Sequence, residues 1–165
     1  MTENELTAYL EGVRIRCIRN DSAGRLWLCT HGETGLVCYD PKDSSIVSYN
    51  EENGLDAPRV RAVTELRDSS MAAATGNGLF IIKDGKITAH YGQDDGISNT
   101  EILSVEEGPD GRLYLGSDGD GIYVIDNSRV SRIGHDDGLT SEVVMRIKWD
   151  AQRKLFWLIT SNSIQ

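Results

Sequence analysis

The chain has 165 residues, a formal charge of −9 and an apolar fraction of 39%, enough for the core of one ordinary domain. Nucleic-acid phosphates select basic surfaces, so this acidity argues against such a partner, and the Lys and Arg residues are scattered singly rather than in stripes. No apolar run approaches the ~20 residues of a spanning helix, and the acidic start Met1-Thr-Glu-Asn-Glu5 lacks the basic-then-apolar pattern of a secretory signal, so this segment is expected to make no membrane contact.

Helix signals are nearly absent, and short apolar strands separated by Asp, Asn and Gly turns run through the chain. After a short segment in which Glu5-Leu6-Thr7 resembles Gly138-Leu139-Thr140, strands are expected at 14–20, 25–30, 36–40 and 46–49. A second set is expected at 59–65, 71–75, 79–83 and 86–91, with Asp84-Gly85 turning its last hairpin, and a third at 101–107, 112–117, 122–126 and 129–133. A fourth set begins at Val143 and reaches Leu155-Phe-Trp-Leu-Ile-Thr160, with two strands only, so Phe156 and Trp157 are expected on an uncovered edge.

These sets are copies of one unit. Gly24-Arg-Leu-Trp-Leu28 returns as Gly111-Arg-Leu-Tyr-Leu115, while Gly54-Leu55, Gly96-Ile97 and Gly138-Leu139 succeed one another every 42 residues. Gly35-Leu36, Gly78-Leu79 and Gly121-Ile122 keep a spacing of 43. A period of about 42 matches a four-stranded propeller blade. The continuous apolar runs Leu79-Phe-Ile-Ile82 and Ile122-Tyr-Val-Ile125 agree, because a blade is covered on both faces. A two-sheet sandwich would explain the strand count but not the return of every fourth strand to one sequence. The expected fold is therefore all-β: a β-propeller fragment of four-stranded antiparallel blades, with blades at about 13–50, 59–92 and 101–134 and half a blade at 143–165.

The second unit replaces Gly-Arg-Leu-aromatic with Met71-Ala-Ala-Ala, so either larger side chains of adjacent blades fill the space or the backbone approaches closely. Cys17, Cys29 and Cys38 follow no metal spacing; a simple hairpin turn sets Cys17 nearly opposite Cys29, as free thiols or as a bonded pair.

Antiparallel order sends the b–c and d–a connections to one face. His31, Glu33, Asn77, Asp118, Asp120, Glu51, Glu52, Asp94, Asp95, His135, Asp136 and Asp137 collect there as ligand contacts or as turn formers. A calcium loop starting at Asp118 fails, since its twelfth position is Arg129. Arg16 and Arg61 occupy equivalent positions on the innermost strands, where Leu103 and Met145 follow. The two arginines suit an anionic sugar or carboxylate, or pair with Glu65, Glu106 or Glu107. The candidate ligand-binding residues are thus Arg16, Arg61, His31, Asp118, Asp120 and His135, with no catalytic residue, metal or cofactor expected.

The pattern Asp21-x-x-Gly-Arg-Leu-Trp-Leu-x-Thr30, Gly35-Leu-x-x-Tyr-Asp40 and Asn53-Gly54-Leu55 resembles the two-component regulator propeller repeat. That resemblance implies a non-catalytic sensor: the extracytoplasmic input region of a bacterial membrane receptor ahead of a histidine kinase or diguanylate cyclase. It implies recognition of a small-molecule or glycan-type ligand, with the rest of a propeller, or a second copy of the chain in a homo-oligomer, closing the ring. An interaction scaffold is the alternative. A propeller lyase of the streptogramin-lyase kind would rest on the His31 and His135 pair.

Overall fold

The computed structural model describes residues 5–57 and 59–165; the acidic start at 1–4 lies outside them. The described chain is all-β apart from a five-residue helix, α1 (Glu5–Tyr9), and three short 3-10 turns. Fourteen strands follow: β1 (Arg14–Asn20), β2 (Leu26–His31), β3 (Leu36–Asp40), β4 (Ser45–Tyr49), β5 (Val60–Glu65), β6 (Met71–Thr75), β7 (Gly78–Lys83) and β8 (Lys86–Tyr91) in the first two blades. The third blade holds β9 (Ile102–Glu107), β10 (Leu113–Ser117), β11 (Ile122–Asp126) and β12 (Arg129–Ile133); β13 (Val144–Asp150) and β14 (Leu155–Thr160) begin a fourth.

Each complete sheet is an antiparallel meander in chain order. The first strands β1, β5, β9 and β13 lie side by side around the channel of the propeller. The chain is thus about three and a half blades, and the strand positions expected from alternation agree with those observed to within one residue at most ends.

The register explains the repeat. In every unit the a–b ladder slips by one residue near its start, after Ile15, Val60, Ile102 and Val144. The extra residue is Arg16, Arg61, Leu103 or Met145, which is the equivalence expected from the sequence. Counted back from this bulge, Leu10 and not Leu6 corresponds to Leu55, Ile97 and Leu139. The Glu5-Leu6-Thr7 reading is therefore corrected, because those residues belong to the helical turn α1.

Between the first two blades, Trp27, Leu36 and Tyr49 pack against Val60, Val63 and Met71. Between the second and third, Ala72 and Ala74 pack against Ile102, Val105 and Tyr123. The three alanines of β6 are fully buried, so the large side chains of both neighbours fill the room left by the missing aromatic. Trp27 stacks on Tyr49 at a centroid distance of 5.8 Å.

The two ends of the array lack such covers. Val60, Val63, Ile102, Val105, Val144 and Ile147 are all at most 5% exposed, whereas their equivalents in β1, Ile15 and Ile18, are 41% and 50% exposed. At the other end Trp157, equivalent to Trp27, is 41% exposed. Phe156 departs from expectation: it points back toward the third blade and sits between Tyr114 and Trp149, at 4.5 and 4.9 Å. The edge of β14 also carries a first contact of a third strand, an Ile159–Ile164 bridge with reciprocal Leu158–Gln165 backbone bonds.

Candidate functional site

The connections form two faces with different work. On one face the a–b turns are tied to the next blade by carboxylates at the ends of the inner strands. Glu65 accepts from the Ser22 backbone N–H and hydroxyl at 2.7 and 2.6 Å, and Glu107 accepts from the Arg67 N–H at 2.7 Å. Glu106 holds Lys148 Nζ and the Trp149 N–H at 2.8 and 3.1 Å. These three carboxylates are thus not partners of Arg16 or Arg61, which lie at the opposite end of strands roughly 20 Å long.

On the other face the b–c turns donate to the connection that follows. The Gly78 N–H bonds the Thr100 carbonyl at 2.7 Å, and the Gly121 N–H bonds the Glu142 carbonyl at 2.8 Å. Gly78 adopts φ +87°, and a Cβ there would overlap the Tyr91 carbonyl oxygen, so only glycine lets the b–c turn fold onto the d strand.

At the inner mouth of this face four guanidinium groups gather. Arg61 meets Glu101 through Nε at 2.7 Å, and Arg59 meets the other oxygen of the same carboxylate at 2.7 Å. Arg61 and Glu101 are mostly buried, with 20% and 17% of their side chains exposed. Arg16 is exposed and makes no hydrogen bond or ion pair among the described residues. Its guanidinium is lowered from its ordinary value by the charge of Arg14 first, then by slight desolvation and the charges of Arg61 and Arg59. A chain of net charge −9 thus has a local excess of positive charge at this mouth.

The structure divides the candidate residues. His31 ends β2, is paired with Arg14 and bridges Arg59 of the next blade, so His31, Arg16 and Arg61 share the first mouth region. Asp118, Asp120 and His135 stand around the b–c turn of the third blade. Asp120 forms an ion pair with Arg132 Nε at 2.6 Å and accepts from Ser98 at 2.9 Å and from the Tyr123 hydroxyl, so most of its carboxylate is engaged within the fold. His135 is turned inward on its own segment: its ring Nδ1 meets the Leu139 carbonyl at 2.9 Å and its N–H donates to Glu142. Asp118 is exposed, and its backbone bridges Val143. His31 and His135 belong to different junctions and make no contact with each other. Asp95 and Asp137 cap their own turns by accepting from Gly92 and Gly134.

Arg14, Arg59 and Glu101 are the additions that sequence reasoning missed. The signal was available, since Arg14 and Arg59 both stand two residues before an arginine that occupies the bulge. Which carboxylate answers them was not, because Glu101 reaches across from the third blade.

Two cavities adjoin these elements. One of about 450 Å³ lies along the inner side of the array, lined by the far halves of β1, β5, β9 and β13, including Arg19, Glu65, Ser104, Glu106, Arg146 and Lys148. The other, of about 360 Å³, lies beside the first b–c turn and is lined by Glu33, Asn50, Glu51, Glu52 and Asp56. Its counterparts are plugged. In the second blade His90 stacks on Phe80 at 4.2 Å and reaches the Asn77 carbonyl, while in the third Arg132 bonds Asp120 and Glu142. The first blade has Ser48 at that register. Among the described residues no group of three or more His, Cys, Asp or Glu is placed to hold a metal.

Residues 9–32 match the family described as Two component regulator propeller. No curated protein sequence matches the chain. Among solved structures, the extracellular domain of a hybrid two-component system from B. thetaiotaomicron aligns with a TM-score of 0.78 at 22% identity, over 91% of this chain and 21% of that one. A second such domain from the same organism gives 0.74 at 18%, over 92% and 22%. Virginiamycin B lyase from Staphylococcus aureus gives 0.73 at 17%, over 92% and 51%. The chain spans about a fifth of the length of the first two structures, and these likenesses establish the propeller fold. Residues 9–32 are thus similar to the two-component regulator propeller repeat, and the chain has a β-propeller fold.

Proposed function

We propose that this chain is a non-catalytic segment of a sensor propeller that recognises an anionic small molecule or glycan at its inner mouth. It would act as part of the extracytoplasmic region of a bacterial membrane receptor. The observation that carries the ligand class is the gathering of Arg14, Arg59 and Arg61 near the unpaired Arg16, with the one carboxylate of Glu101 already engaged by Arg59 and Arg61. A bound carboxylate or sulfate would relieve the repulsion on Arg16 and gain charge-assisted hydrogen bonds. The regulator propeller repeat and the likeness to extracellular domains of two-component systems support the sensor setting.

The competing lyase reading would need His31 and His135 to act together, and they stand at separate junctions. The same sensor reading has the open faces at Ile15 and Ile18 and at Trp157 seat further blades, from the rest of a longer propeller or from a second copy.

The test is titration calorimetry with D-glucuronate and a sulfated disaccharide, each against its neutral counterpart, on the wild-type chain and on Arg16→Ala. The expected result is binding of a charged form only, abolished by Arg16→Ala with the melting temperature unchanged. Equal binding of neutral and charged forms, or undiminished binding by the variant, would refute the assignment.

A further inference from the structure

Cys17 and Cys29 face each other across the innermost hairpin of the first blade. They are register partners between β1 and β2, one residue past the bulge made by Arg16, and their sulfurs lie 3.5 Å apart as free thiols. Directly opposed residues of an antiparallel pair have Cα atoms about 4.5–5.5 Å apart, inside the span of about 4.4–6.8 Å that a disulfide accepts. Bonding therefore needs side-chain rotation rather than strand movement. The repeat does not impose this pair: the same register holds Ala62 and Ala74, Ser104 and Gly116, and Arg146 and Ile159 in the other blades.

The two thiols are unequal. Cys29 is fully buried in the cluster between the first two blades, whereas Cys17 is half-buried on the inner strand and packs against that cluster from its edge. The hydrogen bond between them favours ionisation of Cys17, aided by the charges of Arg19 and Arg146, and disfavours ionisation of Cys29. Cys38 is buried one strand further out, opposite Trp27 and Val47.

We propose that Cys17 and Cys29 are a two-electron redox pair that closes to a disulfide within the first blade, with Cys17 as the attacking sulfur and Cys29 as the resolving one. The oxidant is a small-molecule disulfide such as oxidised glutathione. The Cys17 thiolate attacks one sulfur of that disulfide, forming a mixed disulfide and expelling one thiolate, which takes up a proton. The Cys29 thiol gives its proton to solvent and its sulfur attacks the Cys17 sulfur. The Cys17–Cys29 bond forms as the second glutathione leaves as a thiolate and is protonated. The pair loses two electrons and two protons, and one glutathione disulfide becomes two thiols. The product ties β1, whose outer face at Ile15 and Ile18 has no covering blade, to the buried β2. Closing a loop of this length predicts a melting temperature raised by about 5–10 °C.

The test uses the full chain, reduced, freed of reductant and incubated with oxidised glutathione at neutral pH without oxygen. Thiols are then counted in denaturant, disulfide-linked peptides are identified by mass, and melting is followed. The expected result is a fall from three thiols to one, loss of two hydrogens in mass, a Cys17–Cys29 linked peptide, and a higher melting temperature reversed by reductant. Cys29→Ser is expected to stop at a stable glutathione adduct on Cys17. Retention of all three thiols, a lasting adduct on the wild-type chain, disulfide-linked dimers, or a melting temperature lowered by oxidation would each overturn the proposal.

Discussion

Replacing Asp21 by Ala should destabilise the first blade by about 2–4 kcal/mol, although Asp21 lies in a surface turn far from the mouth. The residue is 6% exposed, and its carboxylate accepts four hydrogen bonds: from the Ala23 N–H at 3.0 Å, the Arg25 N–H at 2.9 Å, Arg25 Nε at 2.6 Å and the Trp27 indole N–H at 2.8 Å. Alanine leaves the indole N–H of a side chain only 2% exposed without a partner, a loss of about 1–3 kcal/mol. Undoing the turn adds about 1 kcal/mol. The ion pair to Arg25 adds little, because that guanidinium is 38% exposed. Urea unfolding followed by tryptophan fluorescence should show a lower midpoint with an unchanged slope. The effect should also depend on pH. Burial raises the Asp21 carboxyl, but the bonds from Trp27 and Arg25 outweigh it and hold the carboxyl below its ordinary value. A carboxylate depressed by folding stabilises fully above its unfolded value, near 4, and that contribution is lost as pH falls through the lower folded value. The difference between wild type and Asp21→Ala should thus be constant from pH 5 to 8 and shrink below pH 4. A difference under about 1 kcal/mol at pH 7, or one that grows on acidification, would refute the reasoning.

Three further outcomes follow from the geometry. Gly78→Ala should cost more than about 3 kcal/mol, measured by urea unfolding, because its Cβ would overlap the Tyr91 carbonyl at a positive φ. Arg61→Ala should lower stability by about 1–2 kcal/mol, since it leaves the mostly buried Glu101 with Arg59 alone, whereas Arg16→Ala should leave the thermal midpoint unmoved. If the open faces seat a second copy, light scattering at micromolar concentration should detect association, and Trp157→Glu should abolish it; a monodisperse wild-type monomer would sink that half of the proposal.

Periodicity made the blade legible because the repeated residues solve backbone problems that every copy shares. Gly35, Gly78 and Gly121 mark the close approach of the b–c turn to the d strand, and Trp27 fills the space between blades. Even the a–b bulge was visible as an alignment of Arg16, Arg61, Leu103 and Met145, though its cause, a one-residue slip in the ladder, was not. What escaped were contacts between blades. Whether Arg61 would meet Glu101 or Glu65 depends on which end of the inner strand each carboxylate occupies, and both lie close to an inner strand in sequence. Asp120 and His135 read as free loop groups because Arg132 and the Leu139 carbonyl, which engage them, face them only after the turns fold.

At one position where the copies differ, the bulge, the side chain leaves the packed sheet. The bulge residue is free to vary because the slip in the ladder leaves it without a cross-strand partner. Around the inner mouth it is Arg16 and Arg61 on one side, Leu103 and the half-exposed Met145 on the other. A ligand lying across this mouth would meet guanidinium groups at one end and aliphatic surface at the other. An anion with an apolar or sugar-ring body fits that division better than a compact inorganic ion, which could use only the first half. Sulfate and the sulfated disaccharide therefore distinguish the two halves. If Leu103→Ser and Met145→Ser weaken the disaccharide but not sulfate, the apolar half contributes to recognition; if both anions weaken equally, it does not.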